Sequence, residues 1–212
     1  YTAAGTALNI VMTICAAYPL SRSDFLPRKV LTVLFVFTMY FSGGMIPTYI
    51  NIKNLGLENT LWAVILPVAV NTFNLIVMRT GFDAIPDSLE EAALIDGAGH
   101  LRILFVIMIP LAKATISVIA LYYAVSHWNS WFNAMLYLTD RQLYPIQLIL
   151  REILIQNDTS IMTMSVSAGD SSFVSETIKY AVIIVSVIPI ICVYPFLQKY
   201  FASGIMIGAV KG

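Results

Sequence analysis

An enzyme needs a nucleophile with its base, a pair of working carboxylates, or a set of metal ligands. Side chains able to do such work are sparse here, and one segment carries two adjacent glutamates, Glu90 and Glu91, with Asp96 close behind. No metal-ligand cluster and no Ser/His/Asp spacing accompanies it. His100 and His127 lie in different regions, and a lone histidine is by default a hydrogen-bonded polar residue. Cys15 and Cys192 lie inside apolar runs and read as buried free thiols, since Cys behaves as a small hydrophobe. No G-x-x-x-x-G-K-[ST] stretch occurs, and "GAVKG" has the wrong spacing to cradle a nucleotide. No catalytic or metal residue is therefore assigned, and the chain carries no ATP site of that type.

A second polar group is neutral. Asn71 and Asn74 are three residues apart and share a face if they lie on a helix. Inside a membrane such amides serve interhelical hydrogen bonding, at about 0.6 kcal/mol each, or line a path for a polar solute. Asn9, Thr13 and Tyr18 have the same two uses. The stretch "YYAVSHWNSWFNAMLYL" supplies Tyr122, Trp128 and Trp131, whose rings could stack on a sugar or anchor the chain at an interface, with the amide of Asn129 beside them. These six residues, Asn71, Asn74, Tyr122, Trp128, Asn129 and Trp131, are the candidates for a substrate path.

The elements that must carry these residues are oily. Of 212 residues 58% are hydrophobic and only 11% charged, against about 25% in soluble domains, and mean hydropathy is +0.81. Twelve basic and twelve acidic side chains cancel, which leaves no basic surface for nucleic acid. A helix needs about 20 apolar residues to cross a bilayer. Five stretches have that length without Asp, Glu, Lys or Arg: Thr2–Ser21, Val30–Asn51, Asn59–Met78, Ala114–Thr139 and Tyr180–Gln198. The fourth exceeds one span, and its helix should end near His127–Trp128. Gly43-Gly44 is read as a site for tight packing or a hinge, packing being the default. The sequence is thus expected to be all-α, a polytopic membrane bundle with five visible spans.

Lys and Arg in short loops set orientation. Arg22, Arg28, Lys29, Arg79, Arg102, Lys113, Lys199 and Lys211 put loop 21–29, segment 79–112 and the C-terminus on the cytoplasmic side. Tyr1 then lies outside, and a further N-terminal span upstream of it is expected. Residues 128–176 form an external region: "YPIQLILREILIQND" reads as an amphipathic helix, "DTSIMTMSVSAGDSS" as a loop.

Between two spans stands "SLEEAALIDGAGHLRILFVIMIPLA". Ser88 and Glu91 have capping-box spacing, and early glutamates suit the positive end of a helix. Gly97 and Gly99 end or bend that helix, and a second one restarts near His100 and runs to Pro110. A capped loop would not need two alanines, an acid, a bend and a restarted apolar helix, a combination that suits insertion into a partner's cleft.

The order Glu91-Ala92-Ala93, three residues, Gly97, nine residues, Ile107, one residue, Ile109-Pro110 resembles the EAA motif of permeases in binding-protein-dependent ABC importers. Ile109 stands where the family usually has Leu. "DGAG" at 96–99 and "YFASGIMIGAVKG" at 200–212 are similar to the carbohydrate-uptake subfamily, and Tyr122–Leu138 resembles its oligosaccharide- and uronate-type members, close to the smaller permease of maltose-type transporters. The resemblance covers essentially the whole chain. It implies a type I ABC importer transmembrane domain over 1–212, N-terminally incomplete, with a cytoplasmic coupling segment at 83–110 in which Glu90, Glu91, Ala92, Ala93, Asp96, Gly97 and Ala98 dock on an ATPase. It further implies a bacterial inner-membrane location, a second homologous permease, two ATPase subunits that hold ATP and Mg, an extracytoplasmic solute-binding protein and a carbohydrate substrate. The tail from Phe201 would lie near the ATPases, and the loop Asn157–Ser172 would correspond to one that reaches the binding protein. Two other readings stay open: a secondary transporter, which would need a buried charge in a span, and an ABC permease for a solute other than sugar.

Overall fold

The computed structural model describes residues 1–163, 177–192 and 195; the tail from 200 and most of the Asn157–Ser172 loop lie outside them. Among the described residues every regular element is a helix. α1 (Thr2–Ser21) is long and apolar enough to cross a membrane. α2 (Arg28–Tyr40) and α3 (Met45–Asn54) meet at 114°, while α4 (Leu61–Ile65), with a 3₁₀ turn at Leu66–Val68, meets α5 (Thr72–Asp83) at 53°. α6 (Asp87–Ile95) precedes α7 (His100–Ile103), a π turn (Leu104–Met108) and α8 (Ile109–Leu111), and this run meets α9 (Lys113–Trp128) at 83°. α10 (Phe132–Tyr137), α11 (Ile146–Thr163) and α12 (Thr177–Cys192) follow.

Two stretches expected to be unbroken spans are broken. Gly44 stands at the α2–α3 bend with φ +88°, a conformation glycine reaches without steric cost, and its N–H donates to Ser42 Oγ at 3.1 Å. It is a bend position, not the default packing site, since nothing lies within 4 Å of where its Cβ would be. In the third stretch Pro67 has no N–H to extend the ladder; the chain tightens into a 3₁₀ turn and starts again at Asn71. The fourth stretch does end its helix at Trp128.

α1 is the hub. It packs against α5 and α9, which also pack on each other, around Ile14, Tyr18, Leu75, Met78, Phe82 and Ile119. Lipid tails are as apolar as these side chains, so close van der Waals fit holds such helices together. Small residues permit it: a Cβ on Gly81 would stand 2.7 Å from Thr115 Oγ1. α2 buries no residue at all. Both cysteines are free and exposed, contrary to the expected burial; Cys15 lies on the face of α1 turned away from α5 and α9.

A second cluster joins α4, α10 and α11 through Val64, Ala134, Leu138 and Leu148, with Tyr1 packed against it. It therefore lies at the α1 end opposite Ser21. Asn59, in a left-handed conformation (φ 54°) that Asn tolerates, pins two loops there: its Oδ1 accepts from the N–H groups of Thr139 and Asp140 at 3.0 and 2.8 Å. α11 includes Asp158–Thr163, which was expected to open a loop. It buries Leu148 and Leu150 against the chain and leaves Ile146 and Ile153 exposed.

Candidate functional site

α6 begins at Asp87 behind Pro86, whose ψ of 131° is extended. Ser88 is thus the second residue of the helix and caps nothing; the expected capping box is absent because Pro86 already occupies the cap position. Asp87 and Glu90 in the first turn favour the helix dipole instead. The other end closes as a Schellman turn. Gly97 takes φ +79°, its N–H donates to Leu94 O at 3.0 Å, and the Ala98 N–H donates to Ala93 O at 2.9 Å. Gly99, with φ −75°, caps the start of α7 and needs no glycine conformation. The π turn of the next helix lies just ahead of Pro110, where the missing N–H calls for such a local adjustment.

The residues expected to couple divide between two faces. Ala93 and Ala98 pack on the core with Ile103 and Leu104. Glu90 also turns inward: its Oε1 accepts from Tyr18 Oη at 2.9 Å and its Oε2 pairs with Arg22 Nη1. Arg22, only 6% exposed, also donates through Nε to Ser21 Oγ at 3.0 Å and through Nη2 to Phe82 O at 3.3 Å. Outward stand Glu91, Ala92, Asp96 and Gly97, together with Leu94 and with Ile95, which is 86% exposed. An apolar pair between two acids, on a backbone fixed by Gly97, is an exposed face that no described residue of this chain covers. Beside it, a notch of about 190 Å³ runs between residues 22–24 and α6, lined by Asp24, Asp87, Glu90 and Glu91 against the one cation Arg22.

A second feature is a polar recess of about 360 Å³ between α1, α5 and α9, lined among others by Asn9, Asn71, Asn74, Tyr122, Ser126 and His127. Among the described residues no charged side chain lines it. Asn71 is not on a helix face beside Asn74, as the spacing suggested: it is the N-cap of α5, its Oδ1 accepting from the Asn74 N–H at 3.1 Å. Its own N–H donates to Tyr123 Oη at 3.0 Å, and that hydroxyl shares a 2.7 Å hydrogen bond with Thr13 Oγ1. Asn9 Nδ2 donates to Val68 O at 2.9 Å. Among the described residues, the buried Asn9 Oδ1 and His127 Nε2 have no hydrogen-bond partner at normal geometry, and the His127 ring lies against the Gly5 backbone.

The recess thus collects Asn71, Asn74 and Tyr122, and leaves out Trp128, Asn129 and Trp131. Trp128 lines an apolar cleft with Ala3, Ala7 and Pro189 and donates through Nε1 to Ser186 O at 2.9 Å. Asn129 is the C-cap of α9. The Trp131 ring carries the Arg151 guanidinium 4.2 Å from its centroid. Tyr123 is not among the sequence candidates and His127 is there only as a lone polar histidine, although their spacing of four puts them on one helical face. Arg22 was read as a loop charge; its spacing of four from Tyr18 was the available signal.

A family model described as binding-protein-dependent transport system inner membrane component matches residues 7–207. The chain is 48% identical over 211 residues to the polygalacturonan/rhamnogalacturonan transport system permease protein YtcP of Bacillus subtilis, covering all of this chain and 74% of that one. It is 44% identical over 211 residues to Protein LplC of the same organism, covering 100% and 71%. Among solved structures, one chain of a bacterial ABC transporter involved in the import of the acidic polysaccharide alginate superposes with a TM-score of 0.81 at 37% identity, covering 95% of this chain and 71% of that one.

Proposed function

The chain belongs to the family of binding-protein-dependent transport system inner membrane components, and on that footing we propose that it is the carbohydrate-conducting permease subunit of an ABC importer. It works beside a second, homologous permease and on two ATPase subunits, which supply the ATP and Mg chemistry. An extracytoplasmic binding protein delivers the sugar. α6 and the C-terminus face the cytoplasm, and the end of the bundle at Asn59 faces out.

One observation carries the reading: α6 presents Leu94 and Ile95 to solvent between Glu91 and Asp96 while its other face is tied to α1 through Glu90. A surface apolar side chain gains free energy only when covered. A helix built to be covered on one side and held on the other can pass a partner's movement into the bundle.

The recess supports a polar, uncharged solute moiety. Its amides, tyrosines and Ser126 can exchange hydrogen bonds with hydroxyl groups, and Phe73 and Tyr122 add ring faces. The named relatives handle polygalacturonan, rhamnogalacturonan and alginate. With no cation at the recess among the described residues, the acidic groups of such a sugar would be balanced elsewhere in the assembly. The test is reconstitution of the whole complex in liposomes with oligogalacturonate and, separately, a neutral oligosaccharide. Uptake that needs ATP and the binding protein supports the proposal. Uptake driven by an ion gradient without the ATPase would favour a secondary transporter, and transport of neither sugar would favour another solute.

A further inference from the structure

Glu90 faces away from the contact surface of α6 and takes no part in the recess. Its carboxylate is held from two directions by one helical turn of α1: Tyr18 Oη donates to Oε1 and Arg22 Nη1 pairs with Oε2. Arg22 then reaches the backbone at the end of α5 through Phe82 O. The other charged neighbours stand farther off, with Asp87 Oδ1 at 3.9 Å from Arg22 Nη1 and His100 Nδ1 at 3.9 Å from Glu90 Oε1. One side chain of α6 is therefore joined to α1 directly and to α5 through Arg22.

Such a pair is a poor device for stability alone. Taking two charges out of water roughly offsets their attraction, and Ala93 and Ala98 already pack this segment on the core. What the pair adds is direction, because charge-assisted hydrogen bonds fix both distance and angle. Among the described residues, α6 is otherwise held by that non-directional packing of Ala93 and Ala98 and by the short chain links at 84–86 and 96–99. The links are turns, and a push on α6 could be absorbed by bending them.

We propose, resting on the permease reading above, that Glu90 is a positioning residue and not an ATPase contact. With Tyr18 and Arg22 it forms a strut that carries displacement of α6 to α1 and α5. Removing one charge alone would leave the other buried and unpaired, so the informative variant is the double Arg22→Gln/Glu90→Gln, with Tyr18→Phe as the milder companion.

The experiment uses the assembled complex, with cysteines absent from the other subunits and spin labels on Cys15 and Cys192, which are both exposed. Two quantities are read: retention of the ATPases in pull-down, and the shift in label-to-label distance on adding ATP with Mg and vanadate. The strut predicts that the double variant keeps its ATPases and loses the nucleotide-dependent shift. Tyr18→Phe should keep the ATPases with a reduced shift. A double variant with a parent-like shift makes the pair merely structural and overturns the proposal. Loss of the ATPases from the double variant makes Glu90 a docking residue and overturns it as well. If the double variant does not accumulate in the membrane, an undiminished shift in Tyr18→Phe is decisive against it. A parent that binds ATPases but gives no shift also refutes the strut, whereas a parent that binds none refutes the permease reading itself.

Discussion

Gly5 of α1 lies against His127 of α9 so closely that a Cβ on Gly5 would stand 2.7 Å from the His127 Nε2. The imidazole is 2% exposed and is boxed in further by Tyr1, whose ring meets it edge-on at 5.4 Å. Its one open side is the recess it lines, and moving there would give up the contact with Tyr1. Gly5→Val should therefore separate α1 from α9 at that end, at about 1–3 kcal/mol of overpacking. The expected outcome is a lower unfolding temperature in detergent. A double variant Gly5→Ala/His127→Ala should recover part of the loss, and thermal scans of all three would check this.

Gly97 responds to a different constraint. Nothing lies within 4 Å of the site of its missing Cβ, yet its φ is +79°. The cost of substitution is set by the backbone, about 1–2 kcal/mol for an ordinary L residue in that conformation, and not by crowding within the chain. Gly97→Asn should be tolerated better than Gly97→Val, because Asn adopts the left-handed region more readily. ATPase pull-down across the series Gly, Asn, Ala, Val should fall in that order.

The outward face of α6 separates docking from folding. Ile95→Asp changes a side chain that touches little in its own chain, so insertion and thermal stability should stay near those of the parent. Docking should weaken by about tenfold or more, since each 1.4 kcal/mol lost is a factor of ten in affinity. Measured affinity for the ATPase, set beside the unfolding temperature, checks both halves.

Asn71 and Asn74 should differ. Asn71→Leu removes the cap of α5, worth about 1 kcal/mol, and disturbs the joint at which α4 and α5 meet. Asn71→Asp keeps an oxygen for the Asn74 N–H and should be milder. Asn74→Leu leaves the cap intact, so a loss of sugar transport in Asn74→Leu without loss of thermal stability would mark its amide as part of the solute path. Uptake and melting temperature, measured on the same preparations, distinguish the two.

What was legible in the sequence was what is decided locally. The need for positive φ at Gly97 and the helix end at Trp128 follow from residue type and short-range pattern. Hydropathy registers composition and not direction, so it saw Val30–Asn51 as one span where Gly44 turns the chain through 114°. Ser88 and Glu91 had the right spacing for a cap, but Pro86 pre-empted it. Glu90 looked like a partner of Glu91 on an exposed helix; its inward turn depends on Arg22, 68 residues earlier in the chain. The recess was half legible for the same reason, since Asn9, Asn71 and His127 meet only once three helices have packed.

The 83° elbow at Ala112 makes the run from His100 to Leu111 a crank. At about 1.5 Å per residue its arm is roughly 18 Å long. A rotation of about 10° at the elbow would therefore sweep its far end, next to Gly97, through about 3 Å. Run in reverse, a nudge of that size at α6 becomes a torque at the foot of α9. A straight helix in its place would pass on only thrust along its axis. On the proposed docking at α6, the bend would set a gear ratio between the small travel of the partner and the tilt of the helix that carries Tyr122, Tyr123 and His127.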